Sequence, residues 1–207
     1  DQPETAGKED MVNAPMMDRR AAVQRLMDTR DEALVVTGLG SPSYDVHAAG
    51  DHEANYYLWG AMGGAALVGL GLALAQPTRR VMVVTGDGEQ LMAFGSMATI
   101  AVAKPSNLEV FVLDNEHYGE TGMQASHTGE GIDLAAAAAA CGFADTSVVH
   151  TLGEVDALTR RLADEPAAGP RLYVLKIASE NPPRSLPPRD AVYIKNRLRS
   201  HLGLAPN

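Results

Sequence analysis

Two short loops in the sequence carry side chains suited to holding a divalent metal ion beside a phosphorylated ligand. The first, Gly86-Asp87-Gly88, lies between an apolar run and a helical pattern. Its glycines let a ligand approach the backbone, and the helix that follows directs unpaired N–H groups toward an anion. An aspartate would repel a bare phosphate, but carboxylate and phosphate oxygens together are ligands that Mg²⁺ prefers. The loop therefore predicts a phosphate site bridged by a metal ion.

The second loop, residues 114–119, follows another apolar run and could complete this site. Asn115 offers a neutral amide oxygen, and a turn here can expose a main-chain carbonyl. A doubly wound sheet can place the two apolar runs side by side, so the two loops could give one metal ion three protein oxygens. Positions would remain for a diphosphate and a water molecule.

A third glycine-containing loop, residues 38–43, carries a weaker signal. It has two glycines of a dinucleotide-binding fingerprint but lacks the third, and Pro42 interrupts the helix start that would receive a pyrophosphate. We interpret it as a turn that needs glycine dihedrals. A non-catalytic nucleotide-binding module that uses this loop stays open as an alternative, and it would bind NAD without Mg²⁺.

The elements that must position these loops alternate between strands and helices. Strands are predicted at residues 33–37, 81–85, 108–113 and 171–177. Helices are predicted at residues 18–29, within the glycine-rich run 56–75, at 89–103, from Asp133 to near Gly142, from the capping box at Thr151, and at 190–202. Apolar strands that alternate with helices predict an α/β fold, a doubly wound, mainly parallel sheet with helices on both faces. In such sheets ligands bind beyond the carboxyl ends of the strands.

Length and composition narrow the class of protein further. The chain has 207 residues, 45% of them hydrophobic, and a formal net charge of -9. We expect a flexible acidic tail over residues 1–15 and a single domain over 16–207. The acidic balance argues against nucleic-acid partners and against a polybasic membrane surface. The uncharged run 56–75 imitates a membrane span, but its glycines favour a buried helix. The single cysteine, Cys141, predicts no internal disulfide, a core position and a cytoplasmic location.

The combination of the two loops resembles a known cofactor motif. Gly86-Asp87-Gly88, followed after residues 89–114 by Asn115, looks like the thiamine-diphosphate motif. The apolar FVL before Asp114 and the segment 59–63 (WGAMG) make the match specific. Over residues 18–202, with phrases such as MAFGSMATIAV and LDNEHYGETGMQ, the chain resembles the diphosphate-binding (β) subunit of thiamine-diphosphate-dependent 2-oxo acid decarboxylases of the sulfopyruvate and phosphonopyruvate decarboxylase type.

This resemblance implies roles for individual residues. Mg²⁺ would be bound by side-chain oxygens of Asp87 and Asn115 and by the carbonyl of His117. The cofactor would contact Gly88, Tyr118 and Gly119 through its diphosphate, Gly60 through its aminopyrimidine and Met62 through its bent middle. The predicted cofactor-binding set also includes Glu89, where family members often have a small hydroxyl residue. An acid there is unfavourable beside a diphosphate unless its side chain turns away or finds a cation.

The resemblance also implies a partner. Enzymes of this type need a glutamate from a pyrimidine-binding domain, and Glu32 and Glu53 lie at the wrong points of the pattern. We therefore expect a separate α subunit that supplies the activating glutamate, in an α/β hetero-oligomer. The reaction would convert a 2-oxo acid with an anionic head to an aldehyde and CO₂. His127 is a candidate proton donor, and His47 and His52 are assigned to a polar loop.

Two other enzyme classes fit the same residues. An acetolactate-synthase-like carboligase would share every cofactor residue, and an oxidoreductase subunit that passes electrons to ferredoxin would need clusters in a partner. Cationic residues for an anionic substrate head are not evident, since Arg79, Arg80 and Lys104 are predicted to lie at the opposite ends of their elements.

Overall fold

A computed structural model describes residues 16–165 and 167–205. Its strands are β1 (Leu34–Thr37), β2 (Asn55–Tyr57), β3 (Val81–Gly86), β4 (Leu108–Asp114), β5 (His117–Tyr118), β6 (Gln124–Ala125), β7 (Asp145–Val149) and β8 (Arg171–Lys176). Its helices are α1 (Arg19–Asp28), α2 (Ser41–Ala48), α3 (Ala65–Ala75), α4 (Asp87–Met92), α5 (Ser96–Ala103), α6 (Leu134–Cys141), α7 (Leu152–Asp164) and α8 (Ala191–His201). The expected tail, residues 1–15, lies outside the described residues.

Six strands form one parallel sheet in the order β2-β1-β3-β4-β8-β7, and β5 and β6 form a small antiparallel hairpin. Successive residues of β3 point to opposite faces. Val83 belongs to an apolar cluster with residues of α3, α5 and α6, whereas Val84 belongs to one with residues of α1, α2 and α7. A hydrophobic core therefore lies on each face of the sheet. The predicted α/β fold, a mainly parallel sheet with helices on both faces, is confirmed.

Strand order places the crevice of the sheet beside β3. The chain passes from β1 outward to β2 and then returns to β3 on the other side of β1. The order of strands therefore reverses between β1 and β3, and such a switch point opens a crevice at the carboxyl ends of the strands. The loops that follow β1, β3 and β4 all lie at that edge.

We predicted a buried helix in the run 56–75, but this run does not form one continuous helix. Residues 55–57 form β2, and α3 begins only at Ala65. Between them Gly60 and Gly63 have φ of +80° and +91°, backbone angles that a right-handed helix excludes. Within α3, a β-carbon on Gly69 would lie 2.3 Å from Val83 Cγ2, so this glycine lets the helix approach the sheet closely. Among the described residues no helix has the length and apolar character needed to cross a membrane.

Two other predicted boundaries are wrong. The helix expected at residues 89–103 begins at Asp87 and is divided into α4 and α5, because the backbone at Ala93 leaves the helical region before Gly95 precedes α5. Pro42 does not interrupt a helix start, because it lies in the first turn of α2, where no intrahelical N–H bond is lost. His47 consequently lies in a helix and not in a loop, although His52 does follow it in a loop.

The predicted helix caps are present. Asp133 accepts a hydrogen bond from the backbone N–H of Ala136 at 2.9 Å and begins α6. Thr151 and Glu154 form the predicted capping box of α7. Cys141, at the end of α6, is partly buried against the core. The helix α2 and the strands β2, β5, β6 and β7 were not predicted, and of these β7 is a half-buried strand without an apolar run.

Candidate cofactor site

A cavity lies at the carboxyl edge of the sheet, where the loops after β1, β3 and β4 meet. Most of the predicted cofactor and metal residues line it: Met62, Asp87, Gly88, Glu89, Asn115, His117, Tyr118 and Gly119. Gly60 lies in the same loop as Met62 but is exposed and outside the lining. The fold has therefore brought together two loops that residues 89–114 separate in the sequence.

Asp87 begins α4 with its carboxylate buried beside two hydroxyl groups. Ser126 Oγ donates a hydrogen bond to Asp87 Oδ2 at 2.5 Å, and Thr128 Oγ1 lies 3.2 Å from the same oxygen. Burial raises the pKa of Asp87, and the neighbouring Asp114 raises it further, whereas the two hydroxyl groups oppose the shift. No ion pair joins Asp87 to a basic side chain in the described part of the chain. A bound cation would supply the positive charge that this buried carboxylate needs as a partner.

Lys176, at the end of β8, pairs with acids other than Asp87. Lys176 Nζ donates to Asp114 Oδ2 at 2.8 Å and to Glu116 Oε1 at 2.6 Å. Thr128 Oγ1 also donates to Asp114 Oδ1 at 2.7 Å, so that its hydroxyl lies between the two aspartates. Lys176 and Thr128 therefore satisfy Asp114 and leave Asp87 to face the cavity.

The turn after β4 holds Asn115 in a defined position. The backbone N–H of His117 donates to Asn115 Oδ1 at 3.1 Å, and His117 Nδ1 lies 2.8 Å from the backbone oxygen of Asn115. Between them Glu116 adopts φ of +62°. No group of three or more His, Cys, Asp or Glu side chains suited to a metal ion occurs in the described ranges. The predicted ligand set is of another kind, since it combines one carboxylate with an amide oxygen and a carbonyl.

Tyr118 packs against the backbone of Gly88. A β-carbon on Gly88 would lie 2.6 Å from Tyr118 Cε1, so a larger residue would collide with the ring. The phenol oxygen of Tyr118 lies 3.3 Å from Nδ1 of His127. His127 itself is exposed and outside the cavity lining, and it lies between Ser126 and Thr128 in the chain.

Glu89 lines the cavity, and backbone N–H groups hold its carboxylate. Its carboxylate accepts hydrogen bonds from the backbone N–H of Leu39 at 3.1 Å and from that of Ala65 at 3.2 Å. Ala65 is the first residue of α3, where the helix dipole favours a negative charge. Burial raises the pKa of Glu89, and these N–H groups oppose the shift. Glu89 therefore connects the loop after β1 to the start of α3.

Sequence reasoning missed several residues of the site. The contacts of Ser126 and Thr128 with the aspartates were not predicted, and Arg19, Ser41 and Pro42 also line the cavity. Arg19 had a usable signal. A helix that precedes a parallel strand runs antiparallel to it, so the first turn of α1 must lie at the carboxyl edge of the sheet. Arg80, by contrast, pairs with Glu109 and lies away from the cavity, as predicted.

Comparison with known proteins identifies this arrangement. Residues 40–172 match the family described as "Thiamine pyrophosphate enzyme, C-terminal TPP binding domain". The chain belongs to this family. Thiamine pyrophosphate (TPP) is thiamine diphosphate, so the predicted cofactor is confirmed at the level of the family. The matched residues of this TPP-binding domain include both loops of the site.

Similar proteins carry decarboxylase names. The TPP-binding domain is 44% identical over 161 residues to phosphonopyruvate decarboxylase of Streptomyces hygroscopicus, covering 77% of the chain and 39% of that protein. It is 41% identical over 128 residues to sulfopyruvate decarboxylase subunit beta of Methanothermobacter thermautotrophicus, covering 62% of the chain and 68% of that subunit. The predicted resemblance to these decarboxylases is confirmed. The chain nevertheless spans only 39% of the length of the phosphonopyruvate decarboxylase.

A solved structure shares the fold. Benzoylformate decarboxylase of Polynucleobacter necessarius superposes on the TPP-binding domain with a TM-score of 0.67, at 23% identity, over 88% of the chain and 37% of that protein. At this identity the likeness concerns the fold alone.

Proposed function

We propose that the chain is the diphosphate-binding (β) subunit of a thiamine-diphosphate- and Mg²⁺-dependent decarboxylase. Its substrate would be a 2-oxo acid like sulfopyruvate or phosphonopyruvate, and its products an aldehyde and CO₂. Family membership and the names of the relatives support this proposal. The observation that carries it is the buried carboxylate of Asp87, which faces one cavity together with Asn115 and has no cationic partner among the described residues.

The residues around the cavity fit the cofactor. Side-chain oxygens of Asp87 and Asn115 and the carbonyl of His117 would hold Mg²⁺. Backbone N–H groups of Gly88, Tyr118 and Gly119 would hold the diphosphate. At Gly88 there is no space for a side chain, because a β-carbon would lie 2.6 Å from Tyr118 Cε1. When bound, thiamine diphosphate supplies the nucleophilic carbon and the electron sink that loss of CO₂ from a 2-oxo acid requires.

The loop before α3 would contact the other half of the cofactor. We assign Gly60 to the aminopyrimidine and Met62 to the bent middle of the cofactor. Met62 lines the cavity, yet 41% of its surface is exposed, which suits a side chain that packs on a ligand. His127 stays a candidate proton donor, and its contact with Tyr118 supports that assignment.

An α subunit would complete the active site with its glutamate. The acidic side chains that line the cavity already have other contacts, since Asp87 pairs with Ser126, Glu89 with backbone N–H groups and Glu120 with Arg184. Relatives named "subunit beta" support a hetero-oligomer. Exposed apolar side chains at the end of α4, Met92 and Phe94, offer a docking surface, and Met92 lies against Gly63 in the loop that carries Met62. A cytoplasmic location, expected from the single cysteine, belongs to the same proposal.

Calorimetry with thiamine diphosphate tests the metal-bridged site. We expect binding that requires Mg²⁺ in the wild type and is lost in Asp87→Ala. Glu116→Gln is the matched control, because it removes an acid of the neighbouring turn that does not line the cavity. Binding that does not depend on Mg²⁺, or that Asp87→Ala leaves unchanged, would contradict the proposal.

Product analysis tests the reaction and the partner. The chain mixed with a pyrimidine-binding subunit should release CO₂ and aldehyde from sulfopyruvate or phosphonopyruvate. A product formed from two pyruvates would instead identify a carboligase. Full activity of the purified chain by itself would rule out the α subunit as the source of the glutamate.

A further inference from the structure

Arg19 places a positive charge at the cavity, where the sequence had shown none. It is the first residue of α1, it is only 5% exposed, and it lines the cavity together with Leu39 and Ser41. Among the described lining residues it is the one lysine or arginine. Burying a guanidinium group is costly unless anions surround it, so its position needs an explanation.

Its ion pair explains only part of that position. Arg19 Nε donates to Asp45 Oδ2, and Arg20 Nε donates to Asp45 Oδ1 at 3.2 Å. Two guanidinium groups thus share one fully buried carboxylate, and one positive charge remains. Within residues 16–165 and 167–205 the terminal nitrogens of Arg19 have no hydrogen-bond partner, although a guanidinium offers five N–H donors.

The surroundings of Arg19 suit an anion. Ser41 and Pro42 at the cavity belong to the first turn of α2, and Gly40 at its N-cap offers no side-chain hydrogen bond to that turn. The N-terminus of this helix therefore keeps unpaired N–H groups and a positive dipole end. Glu120 lies beside this N-terminus, since its Oε1 is 3.1 Å from the point that a β-carbon on Gly40 would occupy, and its carboxylate pairs with Arg184.

We propose that Arg19, with the first turn of α2, binds an oxyanion of the phosphate, phosphonate or sulfonate type inside this cavity. Guanidinium N–H groups match such groups in geometry and charge. Building on the proposed function, two ligands carry this chemistry: the diphosphate of the cofactor and the acidic head of the substrate. In either case Asp45 orients the guanidinium through Nε while the terminal nitrogens bind the anion.

Binding measurements on the purified chain distinguish the two sources. The probes are inorganic pyrophosphate with Mg²⁺, thiamine diphosphate with Mg²⁺, and phosphonoacetate, which carries a carboxylate and a phosphonate but cannot react. If Arg19 binds the diphosphate, Arg19→Gln weakens pyrophosphate and thiamine diphosphate by about 10- to 100-fold. If Arg19 binds the substrate head, the same change weakens phosphonoacetate alone. Arg19→Lys, which keeps the charge, should lose less in the affected arm.

Controls separate binding from folding. Arg20→Gln removes the other partner of Asp45 but lies outside the cavity lining, so it should change none of the affinities. The double variant Arg19→Gln/Asp45→Asn leaves no unpaired buried carboxylate and should fold, yet it should bind as weakly as Arg19→Gln. Thermal melting of each variant verifies folding.

Several outcomes would overturn the inference. Equal affinities of wild type and Arg19→Gln for all three probes would do so, as would a wild type that binds none of them. A wild type that binds pyrophosphate through Arg19 but not thiamine diphosphate would contradict the proposed cofactor and leave the oxyanion site standing. Mg²⁺-dependent binding of thiamine diphosphate that is unchanged in every Arg19 variant, with phosphonoacetate binding also unchanged, would support the proposed cofactor and contradict the oxyanion site at Arg19.

Discussion

Glu89 Oε2 lies 1.9 Å from the point that a β-carbon on Gly38 would occupy. The carboxylate therefore uses space that exists only because residue 38 has no side chain. From that position it accepts the N–H groups of Leu39 and Ala65 and joins the loop after β1 to α3. The loop after β1 and the loop before α3 both border the cofactor cavity, through Leu39 and Met62. The pair Gly38 and Glu89 therefore fixes part of the shape of the cavity.

Gly38→Ala should displace the Glu89 side chain. We expect a loss of about 1–3 kcal/mol in the free energy of unfolding, the usual cost of overpacking, together with weaker binding of thiamine diphosphate. Urea denaturation and calorimetry measure the two effects. In a Glu89→Ser background the alanine should cost far less, and an equal cost in both backgrounds would show that the two residues are not coupled.

Two glycines of one motif should respond differently to alanine. A β-carbon on Gly88 would lie 2.6 Å from Tyr118 Cε1, whereas one on Gly86 would have no atom within 4 Å. Gly88→Ala should therefore lower both the melting temperature and the affinity for thiamine diphosphate with Mg²⁺. Gly86→Ala should leave the melting temperature within about 1 °C, because a change in stability near zero hardly shifts it. Equal destabilisation by both variants would contradict the assigned contact with Tyr118.

The two hydroxyl groups beside Asp87 should be needed for metal affinity. Ser126→Ala removes the donor to Oδ2 of Asp87, and Thr128→Val removes the hydroxyl that lies 3.2 Å from the same oxygen and bonds Asp114. We expect Mg²⁺-dependent cofactor binding to weaken by about tenfold in each, the range for loss of a hydrogen bond to a charged group. Titration of Mg²⁺ at fixed thiamine diphosphate measures this. Thr29→Val is a control, since this hydroxyl donates to backbone oxygens of Arg25 and Leu26 in α1 and lies outside the cavity lining. An unchanged Mg²⁺ titration in both variants would exclude the orienting role.

Asp145 should make stability depend on pH far from the site. Partial burial opposes its ionisation, but hydrogen bonds from Tyr173 at 2.6 Å and Arg161 at 2.5 Å outweigh it and hold the pKa of Asp145 below 3.8. Because the folded pKa is the lower one, the stabilisation is complete above 3.8 and disappears as the pH falls through the folded value.

Asp145→Asn should accordingly lower the free energy of unfolding by about 1 kcal/mol at pH 7, the usual worth of such hydrogen bonds. At pH values below the folded pKa the wild type and the variant should be equally stable. Urea denaturation across this pH range measures the difference. Asp156→Asn, which removes an exposed ion pair with Arg25, should change stability by less than about 0.5 kcal/mol at either pH. A difference between Asp145→Asn and wild type that does not vary with pH would contradict the assignment.

Local signals in the sequence predicted much of the fold because they are encoded within a few residues. Apolar runs gave β3, β4 and β8, and Asp133 and Thr151 marked helix starts through bonds to neighbours in the chain. The predicted helix at 89–103 failed because a break at Ala93 leaves no mark in composition. β7 was missed because an edge strand needs no apolar run.

The amino-acid sequence by itself determined the alternation of strands and helices, the two loops around Asp87 and Asn115, and their resemblance to a thiamine-diphosphate motif. Those features depend on residue types at fixed short spacings. Only the tertiary structure decided that Ser126 and Thr128 support Asp87, that Glu89 turns toward Gly38, and that Arg19 lies at the same cavity. These contacts join residues that are distant in the chain. They depend on the spatial order of the strands in the parallel sheet and on the helix ends that lie at the carboxyl edge of that sheet.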